Sequence, residues 1–556
     1  MDFDFATVNE TIAAAIPDRE AVVWRDRRFT FAQLAERTRR FANFLLAQGL
    51  TVSAERSALA GHESGQEHLA IYCYNGNEYL EGMLGAWKAR VAPLNVNYRY
   101  VEEELTYLFQ NSKASVVLYH AEFAPHIAAI RDALPALRVL IQVADDSGNA
   151  LLSGAVDYEE ALAAASPGTP PVEPSSDDLY ILYTGGTTGM PKGVLWRSAD
   201  IYASAMGGRK PDGSEVASLD EVAATAKAGG QLKCLIGPPL MHGAAQWGLF
   251  INMGGGHTCH FADDNRKLDP PDFLRTVERE GINTITIVGD AFARPLLDEM
   301  ARKKHDLSSL LVVGSGGAPL SVANKKELLE RLPQATVIDS IGSSETGFQA
   351  TNPSNKQTGV STGDFKPMAG AGVVSADLTR VLEPGDEEMG WFAQKGRVPL
   401  GYFGDAEKTA KTFPVIDGVR WSVPGDRAHY RADGSIEVLG RDSVTINSGG
   451  EKIFAEEVEH ALKHHPDVFD VVVAGRPSER WGQEVVAVVH LRPGATTTRD
   501  DLLAEAGKHL ARYKLPKHFA FRDHIQRSPS GKADYRWARA QAEQGYPSSP
   551  GGARRE

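Results

Sequence analysis

Cysteine is scarce: three in 556 residues, Cys73, Cys234 and Cys259. An odd, scattered set without a CxxC pair excludes a disulfide framework and a thiolate zinc site, and reads as small apolar core residues. Basic charge is also in deficit, with 59 Lys and Arg against 72 Asp and Glu, a formal net charge of −13. That argues against nucleic acid as a partner, because phosphate binding needs a basic face. Uninterrupted apolar runs of about 18 residues are missing, so no membrane-spanning helix is expected. The opening "MDFDFATVNE" lacks the basic and apolar regions of a secretory signal. A reducing cytoplasm suits all these absences. Peripheral contact with a membrane stays open.

What is present is a soluble, globular composition of 42% hydrophobic and 24% charged residues. A single core stops growing near roughly 250–300 residues, so at least two domains are expected. β-Branched runs such as "SVVLYH", "TITIVGD", "LLVVGSGG" and "ATVIDSIG" alternate with amphipathic, helix-like stretches such as "PPDFLRTVEREG" and "SVANKKELLERL". Such alternation predicts parallel sheets covered by helices, with ligands bound at the carboxyl ends of the strands. From about residue 373 the pattern shifts to the short alternation of a small β-rich subdomain. After Gly440, helix-like and strand-like stretches compose a compact α+β unit of ordinary domain size. The predicted organisation is α/β: a large domain over 1–439, a small mobile domain over 440–543, and a disordered Gly/Pro/Ser tail over 544–556. Oligomeric state leaves no mark on the sequence.

Behind the strand-like "DDLYIL" comes "YTGGTTGMPKGV", Tyr183–Val194, with four glycines, three threonines and one lysine in twelve residues. Glycines let backbone N–H groups approach an anion, hydroxyls add donors, and Lys192 adds a mobile positive charge. The stretch is a candidate phosphate cradle and competes with a plain flexible turn. It is not a Walker A loop, because Pro191 precedes Lys192 and Gly193 follows it.

This loop resembles the signature loop of the adenylate-forming superfamily, which includes acyl-CoA synthetases, peptide-synthetase adenylation domains and luciferases. Further motifs of that family occur in order along nearly the whole chain: "PPLMHG" (238–243), "GSGGAPLS" (314–321), "DSIGSSETG" (339–347), "WSVPGD" (421–426), "GRDSVTINSGGEKIFAEEVE" (440–459) and "RSPSGKADYR" (527–536). The resemblance implies ATP, Mg²⁺ and coenzyme A as cofactors and a carboxylic acid as the small-molecule substrate. Thr184, Gly185, Gly186, Thr187, Thr188, Gly189 and Lys192 would hold the phosphates. Gly317, Ala318 and Pro319 would lie beside adenine, together with Asp339, Ser340, Ile341, Gly342, Ser343 and Ser344. Glu345, with Thr184, would hold Mg²⁺, and His242 would border the acyl pocket. Asp426 would take the two ribose hydroxyls on its two acceptor oxygens, with Arg441 near the ribose or phosphate. Lys532 would enter the site for adenylation. After rotation about a hinge that falls at Ser443, beside Asp442, Ser448, Gly449 and Gly450 would line the thiol tunnel.

The chain departs from the family pattern at several of these positions. Gly185 replaces a serine, removing a hydroxyl. Ile341 replaces the tyrosine that stacks on adenine. Ser344 stands for threonine, and Val423-Pro424 precede Gly425-Asp426. The texture of "GDAFARPLL" and the 440–459 motif is most similar to actinobacterial fatty-acyl-CoA ligases, including those acting on steroid side chains, which implies a fatty or bulky lipid acid. Loading of a carrier-protein thiol in trans is the alternative, and a non-catalytic nucleotide-binding protein a third reading. Asp290 reads as a turn or cap residue or, less in register, as a pocket acid. Gly254–Gly256 read as a tight turn or a widened pocket. The stretches 51–68 and 208–231 exceed the common pattern, and the second stands where a cover for the pocket mouth would lie.

Overall fold

Among the described residues of the computed structural model, 1–186, 189–210, 212–360, 364–448, 451–478, 481–527 and 532–544, the strands form three sheets of fourteen, eight and five strands. The eight-stranded sheet is parallel from Val156–Asp157 through Val139–Val143, Val116–His120, His68–Tyr72 and Ala92–Asn95 to Leu179–Gly186. It then turns antiparallel at the hairpin partner Gly189–Arg197 and ends at Gly401–Tyr402. The parallel heart of the largest sheet runs Glu20–Trp24, Thr258–Phe261, Lys233–Ile236, Thr284–Ile287, Val312–Gly316 and Thr336–Ser343. Nearly all residues of its strands are buried or half-buried, as in a parallel sheet covered by helices. One large apolar core, with Trp87, Trp196 and Phe41, fills the space between the two sheets.

The β-rich segment from about 373 joins that same sheet: Thr336–Ser343 pairs antiparallel with Gly347–Ser354, and the order continues through Asp364–Pro367, Ile436–Arg441, Val419–Tyr430 and Gly390–Lys395. A short link, 442–445, leads into the five-stranded sheet, which begins at Ile446–Ser448 and packs helices Ala455–Leu462, Arg499–Ala506 and Tyr535–Glu543 around Val471, Val473 and Val488. The helix Arg499–Ala506 stops at Gly507, a poor helix former, and a single 3-10 turn follows at Arg512–Lys514. The tail expected over 544–556 lies, beyond residue 544, outside the described residues. No helix of the described residues is long and apolar enough to cross a membrane.

Two local readings change, and one left open between alternatives is decided. The strand does not end at Leu182. It runs to Gly186 and returns from Gly189, so the cradle is the tip of a β-hairpin with Thr184 opposite Lys192. Gly193 permits this, because a Cβ there would lie 2.8 Å from the Tyr183 ring. The 208–231 stretch does not cover the pocket mouth. Its helix Leu219–Ala228 packs on Phe5–Ala15 and on the far end of helix Gly243–Gly254, roughly 16 Å along the axis from His242. There Arg19 donates to the carbonyls of Ala226, Gly229 and Gly256 at 2.7, 3.0 and 2.9 Å, serving groups that a helix end leaves without a partner. Gly254–Gly256 therefore form a helix end and turn: a Cβ at Gly256 would meet the Ala226 carbonyl at 2.3 Å.

Candidate active site

The two parallel strands Val312–Gly316 and Thr336–Ser343 end near the second hairpin strand, Gly189–Arg197, whose Trp196 reaches the Ser344 carbonyl. Gly316 pairs with Ser340, and Gly317 turns away with φ +84°. Ala318 and Pro319 press on Gly289, whose own Cβ would lie 2.3 Å from the Pro319 carbonyl, so this turn and the start of helix Gly289–Arg302 are locked together. The Ser343 N–H donates to Thr346 Oγ1 at 3.0 Å, and Gly342 is pressed on the Gly347 carbonyl, which sets the tight return that carries the half-buried Glu345. Ile341 packs against the apolar group of Ala350 and Phe365. Asp339 is buried and paired with Lys325 at 3.1 Å. Burial, against the pull of Lys325, raises its carboxyl to about 6. It is held by the helix beneath the strand.

Glu345 is braced from three directions. Tyr402 donates its hydroxyl to Glu345 Oε1 at 2.8 Å, Ser422 donates to the Glu345 carbonyl at 2.6 Å, and Trp196 Nε1 donates to the Ser344 carbonyl at 2.8 Å. None of the three was named from the sequence. Lys192, on the second hairpin strand, lies 2.7 Å from Asp405 Oδ2, and that carboxylate also caps helix Ala406–Thr412. The run "GYFGDAEKT" held a readable cap signal, an aspartate before a helix-like stretch, but nothing in it points to a lysine more than 200 residues earlier.

Asp426 and Arg441 face each other on adjacent strands, with Arg441 Nε 3.2 Å from Asp426 Oδ1. Lys532 enters this group from the C-terminal unit. It is open to solvent yet surrounded by protein. That crowding, then the Arg441 guanidinium, lowers its pKa below the ordinary lysine value, while Glu345 and Asp426 pull the other way.

His242 stands at the start of helix Gly243–Gly254, and its Nε2 is buried with no hydrogen-bond partner among the described residues. Burial, the Lys532 ammonium and Arg99 push the imidazole down to about 3, so it is neutral at physiological pH. Two asparagines missed in the sequence fix the loop that carries it. Asn75 donates to the Pro238 carbonyl at 3.0 Å and accepts from Leu240 N at 2.6 Å; Asn95 donates to the Met241 and Tyr183 carbonyls. A cavity of about 110 Å³ adjoins this loop, lined in part by Asn75, Tyr98, Pro239, Phe261 and Phe292.

The structure thus brings Glu345, Asp426, Arg441, Lys532 and His242 into one electrostatic neighbourhood. Glu345, a lone carboxylate, suits Mg²⁺ that arrives on nucleotide phosphates and keeps its waters. No group of three or more His, Cys, Asp or Glu among the described residues forms a self-contained metal site. Thr187, Thr188, Gly449 and Gly450 lie outside the described residues, as does the side chain of Ser443. Asp442 pairs with Arg427 at 3.2 Å. Ser448 sits in the C-terminal sheet, opposite Glu451 and Gly482.

Beside the link, the Glu456 carboxyl rests under Gly440, where a Cβ would come within 2.2 Å of Oε2. Burial and then Glu459 raise Glu456 to about 8, and burial raises Glu459 to about 7. Between pH 4.5 and these values the fold retains protons that the unfolded chain has released, so stability falls as pH rises through that window, by roughly 1 kcal/mol per pH unit for each group. Glu456→Gln should flatten the fall of Tm between pH 5 and 9 and stabilise the protein most at the alkaline end. Parallel curves for variant and wild type refute the assignment.

The chain belongs to the AMP-binding enzyme family: residues 10–391 match AMP-binding enzymes and 457–532 their C-terminal domain. It is 57% identical over 544 residues to the medium-chain acyl-CoA ligase Mig of Mycobacterium avium, covering 98% of this chain and 99% of that one. It is 39% identical over 543 residues to a medium/long-chain-fatty-acid–CoA/3-oxocholest-4-en-26-oate–CoA ligase of Mycobacterium tuberculosis H37Rv, covering 97% and 96% of the two chains. The crystal structure of the anthranilate CoA ligase AuaEII with anthranoyl-AMP shares the fold with a TM-score of 0.80, at 20% identity and 97% coverage of both chains.

Proposed function

We propose that this protein is an ATP-dependent acid–thiol ligase that converts a fatty or steroid side-chain carboxylic acid into its coenzyme A thioester. The carboxylate oxygen attacks the α-phosphorus of ATP, the α–β anhydride bond breaks, and pyrophosphate leaves. The thiolate of coenzyme A then attacks the acyl carbon, and AMP leaves with the pair of electrons from the acyl–oxygen bond. No general base is required in the first step, because the acid is already ionised at neutral pH. Catalysis is chiefly positioning and charge stabilisation.

In this reading Lys192 and the Gly/Thr-rich hairpin offset charge on the departing phosphates, and Glu345 would hold a Mg²⁺ that would add positive charge there. Asp426 takes the ribose hydroxyls, Arg441 braces Asp426, and Lys532 bridges carboxylate and α-phosphate. The neutral His242 lines the acyl pocket and offers Nε2 without adding charge. We place the division of labour at residue 440, with the C-terminal unit supplying Lys532. The observation that carries the reading is the convergence of Lys532 with Glu345, Asp426, Arg441 and His242. The substrate class follows from the relatives' names. Thioester formation with ATP and coenzyme A across short, medium, long, aromatic and steroid acids tests it. Turnover best with medium to long or steroid acids is expected. Activity only with a holo-carrier protein in place of coenzyme A overturns the thiol assignment, and no acid-dependent pyrophosphate exchange overturns the function.

A further inference from the structure

Asp290, near the start of helix Gly289–Arg302, is used by none of the chemistry above, yet it is almost fully buried. Its Oδ1 accepts from Ser321 N at 2.8 Å and from Asn324 Nδ2 at 2.7 Å. Its Oδ2 lies 3.3 Å from Nζ of Lys463, which follows helix Ala455–Leu462 of the C-terminal unit, and the two side chains are only 8% and 7% exposed. Lys463 is also 4.0 Å from Asp470, and Asp470 grips Arg527 through two contacts of 2.6 Å. Arg527 bridges antiparallel to Ala533, so this grip fixes the base of the segment that carries Lys532. Around the pair, Arg294 stands 3.9 Å from Asp290 with its guanidinium over the Phe469 ring at 5.2 Å, and Arg492 approaches Asp298 at 3.8 Å. A connected run of charges thus links the turn behind Gly317–Pro319 to the segment bearing Lys532.

We propose that Asp290 and Lys463 are positioning residues that latch the C-terminal unit in the arrangement where Lys532 reaches the site, and that they part for the thioester step. The proposal rests on the ligase reading above. Separating a buried ion pair is normally severe, because each charge is left uncompensated. Here Asp290 keeps Arg294 and two hydrogen-bond donors, and Lys463 keeps Asp470, so neither charge is stranded when the units part. That provision suits a contact made and broken in each cycle better than a permanent brace.

The test uses the full chain, with Asp290→Asn, Lys463→Met, the double variant and Lys463→Arg. Asparagine preserves the Oδ1 acceptor and removes the charge. Acid-dependent ATP–pyrophosphate exchange should fall about tenfold to a hundredfold in kcat for each single variant, the range a misplaced catalytic group produces. KM for ATP should hold, and thioester formation from supplied acyl-adenylate should be undiminished. The double variant should be no worse than either single one, and Lys463→Arg should retain most exchange. Unchanged exchange, or equal loss in both half-reactions with a lowered Tm, overturns the latch. Limited proteolysis of the 442–445 link gives a readout independent of catalysis: the charge-removing variants should be cut several-fold faster than wild type, and equal rates overturn the latch. If the wild-type chain shows no exchange with any acid, the ligase reading fails, and proteolysis still decides the latch.

Discussion

Lys532→Ala should lower acid-dependent ATP–pyrophosphate exchange by at least about a hundredfold, as loss of one charge-stabilising donor does elsewhere. Thioester formation from purified acyl-adenylate and coenzyme A should survive nearly intact. The asymmetry follows from what the ammonium is for. Two anions, carboxylate and α-phosphate, must approach each other in the first step, and in the proposed mechanism Lys532 is the cation that the C-terminal unit brings to them. Once the anhydride exists, that repulsion is gone. A pH signature accompanies the split. The charged lysine is the working form, so adenylation persists below its pKa and is lost as pH rises through it. Crowding and Arg441 lower that pKa, so the alkaline limb of kcat/KM, which reports the free enzyme, should fall below the pH at which an ordinary lysine titrates. The thioester step should lack this limb. Equal loss of both half-reactions in Lys532→Ala would refute the division.

Glu345→Gln should cost adenylation about a hundredfold at limiting Mg²⁺, with partial recovery as Mg²⁺ is raised. The substitution is nearly isosteric. The glutamine Oε1 still accepts from Tyr402, and the main-chain carbonyl still accepts from Ser422, so the scaffold around residue 345 is kept. What is lost is one negative charge facing the phosphates. Thioester formation from acyl-adenylate should again be spared, because pyrophosphate and its metal have left by then. Tyr402→Phe removes only the brace and should cost about tenfold, the worth of one hydrogen bond to a charged group. Wild-type exchange by Glu345→Gln at limiting Mg²⁺ would remove Glu345 from the metal role.

Much of the parallel architecture was legible because β-branched runs and amphipathic stretches differ in period. The motif residues could be named because glycines, a lysine and carboxylates stood in a familiar order. The exact form of the cradle was not legible. Whether glycine and threonine continue a strand or leave it depends on the partner across the ladder, and for Thr184 that partner is Lys192 itself. Tyr402, Asp405 and Ser422 were invisible for a similar reason: each acts on a residue far away in sequence. The sequence around Asp290 suits a cap or a pocket acid. Its partner Lys463, 173 positions later, becomes visible only when the two units are folded against each other. The 208–231 stretch was misplaced because adjacency to His242 in sequence is not adjacency in space, the intervening helix carrying the chain to the opposite end.

The neutral imidazole of His242 has a consequence for how this pocket chooses its acid. Arg99 and Lys267 line the cavity, but the imidazole adds no positive charge of its own, and in the proposed mechanism further counter-charge for the carboxylate head arrives with Lys532. Acid occupancy and closure are then thermodynamically linked, each raising the population of the other. A long tail, gripped by apolar walls, stays long enough for closure to capture it, whereas a short acid with the same head group escapes first. Chain-length preference in such a site is expressed through the fraction of time spent closed as well as through fit.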